Sequence, residues 1–174
     1  MRKIPTLFIR YGKYATPEVN PGCEWVLAGE GRATRKWDGT ACLIRDGQLY
    51  KRLEWNATKG RAPTVWLHYD FDPEVRSGHG WMPVGVGPED WMHRLVSIDG
   101  LEDGTYELCG PKIGKNPEGL ENYLLIKHGM LELPDSPRDF LGLCEFLLAY
   151  KGEGIVWHHP DGCMAKLKRR DIKP

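Results

Sequence analysis

Asp46-Gly47 constrains the fold of this chain more than any other dipeptide in it. The pair is a strongly favoured two-residue hairpin turn, and the runs on either side, Thr40–Arg45 and residues 48–53, both read as strands. A further strand pattern, Arg32–Lys36, leads into the first of them. Between the two lies Lys36-Trp37-Asp38-Gly39. This puts an amine at a strand end beside a carboxylate, with a glycine that lets another group approach the backbone closely. The same four residues also suit an exposed lysine in a turn, so their meaning depends on the rest of the chain.

Residues 6–11 form a short strand candidate, and residues 13–22 are a stretch broken by proline and glycine. On the return strand of the hairpin, Lys51 and Arg52 point to opposite faces, because side chains alternate along a strand. Residues 56–63 read as a loop and residues 65–71 as a strand. His68, Asp70 and Asp72 follow at a spacing of two, which suits either a divalent cation or a solvated strand face. Residues 73–88 carry Gly78, Gly80, Gly85 and Gly87 and read as a long loop, in which Trp81 and Met82 either cover a ligand or pin the loop to the core. Residues 89–98 have helical spacing through Trp91, Leu95 and Ile98.

Residues 105–109 read as a strand on which Glu107 shares a face with Thr105 and Cys109. A carboxylate there either faces water or lines a polar site. Residues 110–119 read as loop, and residues 123–127 as a strand ending in His128. Ser136, Pro137 and Asp139 start a helix as N-cap, first helical position and first-turn acid. Its core face runs through Phe140, Leu143, Cys144, Leu147 and Leu148, and Gly152 ends it. Residues 153–158 and 163–168 then form a closing hairpin. Lys166 and Lys168 share one face of its last strand, where two cations side by side are either solvated or await an anion.

At 174 residues the chain is long enough to bury a core unaided and reads as a single domain over residues 1–174. Strands, a short helix, more strands, a longer helix and a hairpin make it α+β with antiparallel sheets and a few helices. Its net charge is zero, so contact with a polyanion must come from a local basic patch. Five cysteines without a C-x-x-C pair point to reduced thiols and a cytoplasmic protein. No apolar run is long enough for a membrane helix.

Read together, Lys36-Trp37-Asp38-Gly39, Tyr106-Glu107-Leu108, Glu153-Gly154-Ile155-Val156 and Lys166-Leu167-Lys168 occur in the order K-x-D-G, strand glutamate, E-G-x-V and K-x-K. The ordered set resembles the covalent nucleotidyltransferase superfamily of ATP-dependent DNA and RNA ligases and mRNA capping enzymes, and is most similar to its small stand-alone RNA ligases. The resemblance implies a ligase-type nucleotidyltransferase (adenylation) domain. It implies that Lys36 takes AMP from ATP, with Lys166 and Lys168 stabilising the phosphate, and that Mg²⁺ or Mn²⁺ is held at Glu153 and Glu107. It further implies nucleotide contacts from Asp38, Gly39, Arg52, Glu107, His128, Glu153 and Val156, with Tyr123 or His128 stacking on the base.

The chemistry is coherent on its own terms. An attacking lysine must be neutral, a free one titrates near 10.4, and neighbouring cations disfavour its charged form. Two features depart from the family pattern: Arg35 stands where a glutamate often precedes the lysine, and Ala41 where many DNA ligases carry arginine. The chain ends soon after Lys168, so no appended OB-fold is expected, and a partner protein is a possible source of a second domain. The expected reaction joins RNA 5′-phosphate and 3′-hydroxyl ends. A DNA nick ligase or GTP-dependent guanylyltransferase would use the same lysine, and a non-catalytic nucleic-acid-binding domain would use Lys166, Lys168, Arg169, Arg170 and Lys173 as a basic patch.

Overall fold

The computed structural model describes residues 4–58, 67–72, 76–85 and 87–174. It is an α+β fold of mostly antiparallel sheets and few helices. Its contacts divide the chain into two compact units, Gly39–His128 and residues 4–38 with Gly129–Pro174. The chain therefore passes from one unit to the other at Asp38–Gly39 and returns at His128–Gly129. Among the described residues, no helix is long and apolar enough to cross a membrane.

The second unit is built on three strands, β3 (Arg32–Lys36), β10 (Gly154–His158) and β11 (Met164–Lys168), in the order β11-β10-β3 and antiparallel throughout. Both edges are covered. Thr6 bridges Lys166 in parallel on one side, and Thr34 bridges Glu132 on the other. A hairpin of β1 (Phe8–Tyr11) and β2 (Tyr14–Val19) extends from the first of these edges. Strand β2 replaces the broken stretch expected over residues 13–22. Its pairing slips between Phe8 and Arg10, opposite the stretch that contains Pro17, so the proline's missing N–H interrupts no regular ladder.

Leu7, Phe8, Val26, Ile155, Trp157 and Leu167 pack with Leu143 and Leu147 of helix α2 (Phe140–Ala149) on one face of this sheet. A short helix, α1 (Glu24–Leu27), contributes Val26. Asp139, rather than Ser136, caps α2: its Oδ1 accepts the Gly142 N–H at 2.9 Å. Pro137 thus lies before the cap, where its ring and fixed φ cost no helical hydrogen bond.

The first unit is a six-stranded antiparallel sheet in the order β6-β7-β5-β4-β8-β9. Its strands are β4 (Thr40–Arg45), β5 (Gln48–Asn56), β6 (Leu67–Asp72), β7 (Ser77–Pro83), β8 (Gly104–Cys109) and β9 (Leu124–Lys127). The Asp46-Gly47 turn joins β4 to β5 with φ of 51° and 70°, the left-handed pair of a type I′ turn. Cys42, Ile44, Leu49, Tyr106, Leu108 and Ile113 fill the core on one face.

Strand β7 occupies what reads in sequence as loop. Gly78 is paired with Trp55 on one side and Phe71 on the other, and those two rings lie 5.9 Å apart. Large neighbours across the ladder thus supply the packing that the glycine lacks. Trp81 is a buried strand residue opposite Arg52, so it belongs to the sheet. The helix expected over residues 89–98 is two 3₁₀ turns, Pro88–Asp90 and His93–Leu95. Asp90 is engaged elsewhere: its carboxylate is paired with Lys51 and accepts the Gly85 N–H, which holds the first turn against β5. Residues 59–66 and 73–75, with the side chains of His68 and Asp72, lie outside the described residues, and with them the suggested cation face.

Candidate active site

In the second unit, strand register alone aligns the lysines. Gly154 pairs with Lys36 on one side and Lys168 on the other, and Val156 pairs with Thr34 and Lys166 in the next row. Alternation sends Ala33, Ile155, Ala165 and Leu167 into the core and the lysines to the opposite face. Lys166 and Lys168 therefore share a face, as their spacing predicts.

Gly154 has no room for a side chain. An added Cβ would lie 2.2 Å from the Leu167 carbonyl oxygen and 2.8 Å from the Lys168 Cα. Its absence also leaves the row between Lys36 and Lys168 open, and Glu153, one residue earlier, fills it. Lys36 Nζ lies 2.5 Å from Glu153 Oε2, and Lys168 Nζ lies 2.6 Å from Oε1. One carboxylate is thus gripped by an ammonium at each oxygen. Burial raises the Glu153 carboxyl, but the Lys36 charge and the Lys168 hydrogen bond outweigh it and hold the group below its ordinary value.

Lys36 also donates to the Trp37 carbonyl at 3.3 Å. The strand around it is fastened on the core side. The Arg35 guanidinium sits 4.4 Å from the Trp37 ring centre and 5.7 Å from that of Tyr150, which stacks on Phe146 of α2. Asp38 is half-buried at the last position before the chain enters the first unit.

In the first unit, Glu107 is the centre of a separate cluster. Its Oε1 accepts the Gly39 N–H at 3.0 Å, and its Oε2 lies 2.8 Å from His128 Nε2. Glu107 is buried and bonded, which resolves its two sequence readings in favour of a polar site. Gly39 must be glycine for reasons of space. An added Cβ would meet the Leu108 carbonyl oxygen at 2.3 Å, Glu107 Cγ at 2.8 Å and Cys109 Sγ at 2.9 Å.

The face of this sheet opposite the core carries Ala41, which pairs with Glu107. Cys42 pairs with Lys51, so Arg52, one residue further along β5, shares the face of Ala41. Arg52 binds Glu54 at 3.3 Å, and its Nε is buried without a hydrogen-bond partner among the described residues. Tyr123 packs on Gly110 and meets Trp91 edge-on at 5.9 Å.

The expected site residues thus divide between the units: Lys36, Asp38, Glu153, Val156, Lys166 and Lys168 in the second, Gly39, Arg52, Glu107 and His128 in the first. Among the described residues, no group of three metal-ligating side chains occurs. Sequence reasoning missed the two-sided grip on Glu153, the Gly39–Glu107 hydrogen bond and the Lys51–Asp90 pair. The first two join motifs that are individually legible. The third joins residues with no local signal at all.

Comparison with known proteins adds the context of relatives. A family model described as RNA ligase 1 matches residues 87–173. RNA ligase 1 of Mus musculus is 34% identical over 220 aligned positions, which cover 93% of this chain and 67% of the mouse protein. RNA ligase 1 of Pongo abelii is 37% identical over 86 residues, 44% of this chain and 26% of that protein. RNA ligase 1 of Danio rerio is 32% identical over 97 residues, 49% of this chain. The matched stretches span about a quarter of the Pongo protein, and 30% of the Danio protein.

Proposed function

The chain belongs to the RNA ligase 1 family, and from that membership we propose that it is an ATP-dependent RNA ligase working through a covalent lysyl-AMP intermediate. The observation that carries the reading is Lys36 held at Glu153 opposite Lys168, on a sheet face that also carries Lys166. In the first step the Lys36 ammonium leaves Glu153 and gives one proton to solvent, and the neutral Nζ attacks the α-phosphorus of ATP. A P–N bond forms, the bond to the bridging oxygen breaks, pyrophosphate leaves, and the amine's proton passes to solvent. The low carboxyl pKa of Glu153 suits it to a counter-charge role rather than to proton storage.

In the second step an RNA 5′-phosphate oxygen displaces Lys36 from the AMP phosphorus. In the third, a 3′-hydroxyl attacks the RNA 5′-phosphorus, forming the phosphodiester and expelling AMP. Lys168 and Lys166 offset charge on the phosphate during these displacements.

Mg²⁺ or Mn²⁺ suits this donor set. Magnesium is commonly bound by one or two carboxylates together with substrate phosphates, and Glu153 is an ionised carboxylate that already attracts two cations. Glu153 would hold the ion, which when bound supplies further neutralisation of phosphate charge. Both Glu107 oxygens are engaged, by Gly39 and His128, as both Glu153 oxygens are by the two lysines, and in this reading Glu107 contacts the ribose or the metal. Arg52, whose Nε is buried without a hydrogen-bond partner among the described residues, and His128 are the other nucleotide contacts of the first unit in this reading.

The test is incubation with Mg²⁺ and ATP or GTP labelled at the α-phosphate, followed by a denaturing gel. The expected result is label on wild-type protein from ATP, and none on Lys36→Ala. Label from GTP alone would replace ligation by guanylyl transfer, and a folded Lys36→Ala that still labels would remove the nucleophile.

A further inference from the structure

Beyond the lysines, the second unit carries a basic edge that the reaction as described does not use. Residues 5–7 run alongside β11, with Lys166 N–H donating to the Pro5 carbonyl and Leu7 N–H to the Lys166 carbonyl. Because Thr6 pairs with Lys166 in parallel, β1 continues in the direction of β11, past Lys168, to the 3₁₀ turn Arg169–Asp171. There Arg10 reaches Asp171 at 3.4 Å. Asp171 is buried, and it also accepts the Lys168 N–H at 3.3 Å, so the acid of this turn is occupied internally. Arg169 and Arg170 are exposed.

The β1–β2 hairpin then projects one turn further. Gly12 takes φ of 62° as first residue of its two-residue turn, and Lys13, the second, is exposed. Tyr11 pairs with Tyr14 across the hairpin, and Lys13 Nζ lies 4.9 Å from the Tyr14 ring centre. Tyr11 is 87% exposed, far beyond any other aromatic side chain among the described residues. Packing does not account for such a ring, since it touches little of its own protein. Cations tracking a backbone, with aromatic faces at intervals, are what single-stranded nucleic acid requires.

We propose that the hairpin tip and the Arg169–Asp171 turn form a binding edge for single-stranded RNA, with Tyr11 stacking on a base and Lys13, Arg169 and Arg170 contacting phosphates. The proposal rests on the RNA-ligase reading for the identity of its partner. Its location, at the end of the strand that carries Lys168, fits it to the strand whose 5′-phosphate receives AMP. The flexible ends of a single strand can splay to meet one exposed ring, whereas paired bases in a duplex are already stacked on each other.

The experiment is fluorescence anisotropy of a short 5′-phosphorylated single-stranded RNA with the full chain, across a salt series. Tyr11→Ala should weaken binding about tenfold, within the range for loss of one stacked base, and Tyr11→Phe should restore it. Lys13→Ala and Arg170→Ala should each reduce the slope of log affinity against log salt by about 0.7, the loss of one phosphate contact. Self-labelling by ATP should be unchanged in all four variants. Lys36→Ala should keep RNA affinity while losing the label, which separates this proposal from the assignment of the nucleophile. Unchanged affinity and slope in Tyr11→Ala, Lys13→Ala and Arg170→Ala would overturn the proposal. So would a loss of ATP labelling in parallel with RNA binding, or tighter binding of a nicked DNA duplex than of the single strand.

Discussion

The ring of Trp37 lies under the Arg35 guanidinium at 4.4 Å, while the carbonyl of the same residue accepts a hydrogen bond from Lys36 Nζ. Trp37 is therefore held by one neighbour and holds the other, and the orientation of its peptide depends on the stack. Arg35 meets Lys36 through Trp37, which makes it a positioning residue. Arg35→Ala should slow covalent labelling about tenfold at saturating ATP while leaving the half-saturating ATP concentration unchanged. Its stability cost should be small, about 1 kcal/mol for a partly exposed cation–π contact. Trp37→Phe should retain most of the rate, whereas Arg35→Lys should not, because an ammonium lacks the planar face. A rise in half-saturating ATP instead of a fall in maximal rate would assign Arg35 to nucleotide binding.

The grip of two lysines on Glu153 makes that residue structural as well as chemical. Glu153→Gln keeps the shape but leaves two ammonium groups facing an uncharged amide. Denaturant melts should show a loss of up to about 3 kcal/mol, at the low end for a broken ion pair because all three side chains retain some solvent contact. Lys168→Met should recover part of that loss when combined with Glu153→Gln, since it removes the mutual repulsion. Strictly additive effects of the two substitutions would mean that the charges do not communicate.

Gly39→Ala should damage the first unit without touching a charge. The added methyl must displace the Leu108 carbonyl, Glu107 or Cys109, and any such shift disturbs the Gly39–Glu107 hydrogen bond. A cost of about 1–3 kcal/mol is expected for overpacking of this kind. Full wild-type stability, measured by thermal melting, would mean that the backbone relaxes there without strain.

His159 bridges two carboxylates, with Nε2 at 2.8 Å from Glu30 and Nδ1 at 2.7 Å from Asp161. Its pKa is raised by the hydrogen bonds to Glu30 and then Asp161. A raised folded-state value stabilises the protein fully below the unfolded imidazole pKa, near 6.5, and that contribution disappears as pH rises through the folded value. The melting temperature of wild type should therefore exceed that of His159→Gln at pH 6, and the gap should close towards pH 9. A constant gap would show that the bridge does not titrate over this range.

Where the chain is legible from sequence, the cause is local. Strands Arg32–Lys36 and Thr40–Arg45 match their expected bounds because alternation and the Asp46-Gly47 turn act over a few residues. The shared face of Lys166 and Lys168 follows from strand periodicity alone. The misreadings involve partners distant in sequence. Strand β7 depends on Trp55 and Phe71 flanking Gly78, and the turn at Asp90 depends on Lys51. Asp139 and Ser136 are both good N-caps, and it is Asp139 whose carboxylate accepts the Gly142 N–H. The residues of the candidate site stand in the sequence as a set of motifs, but the manner in which Glu153 joins two of them does not.

The double crossing of the chain at Asp38–Gly39 and His128–Gly129 has a consequence during synthesis. Strand β3 leaves the ribosome well before β10, and the carboxylate that grips Lys36 lies 117 positions after it. At translation rates of about 5–20 residues per second, roughly ten seconds pass before that partner exists. The first unit, contiguous in sequence, can fold during the interval, while β3 waits as an unpaired edge open to association with other chains. A ribosome that stalls before residue 153 therefore leaves the strand that carries Lys36 as the exposed, aggregation-prone part of the nascent protein.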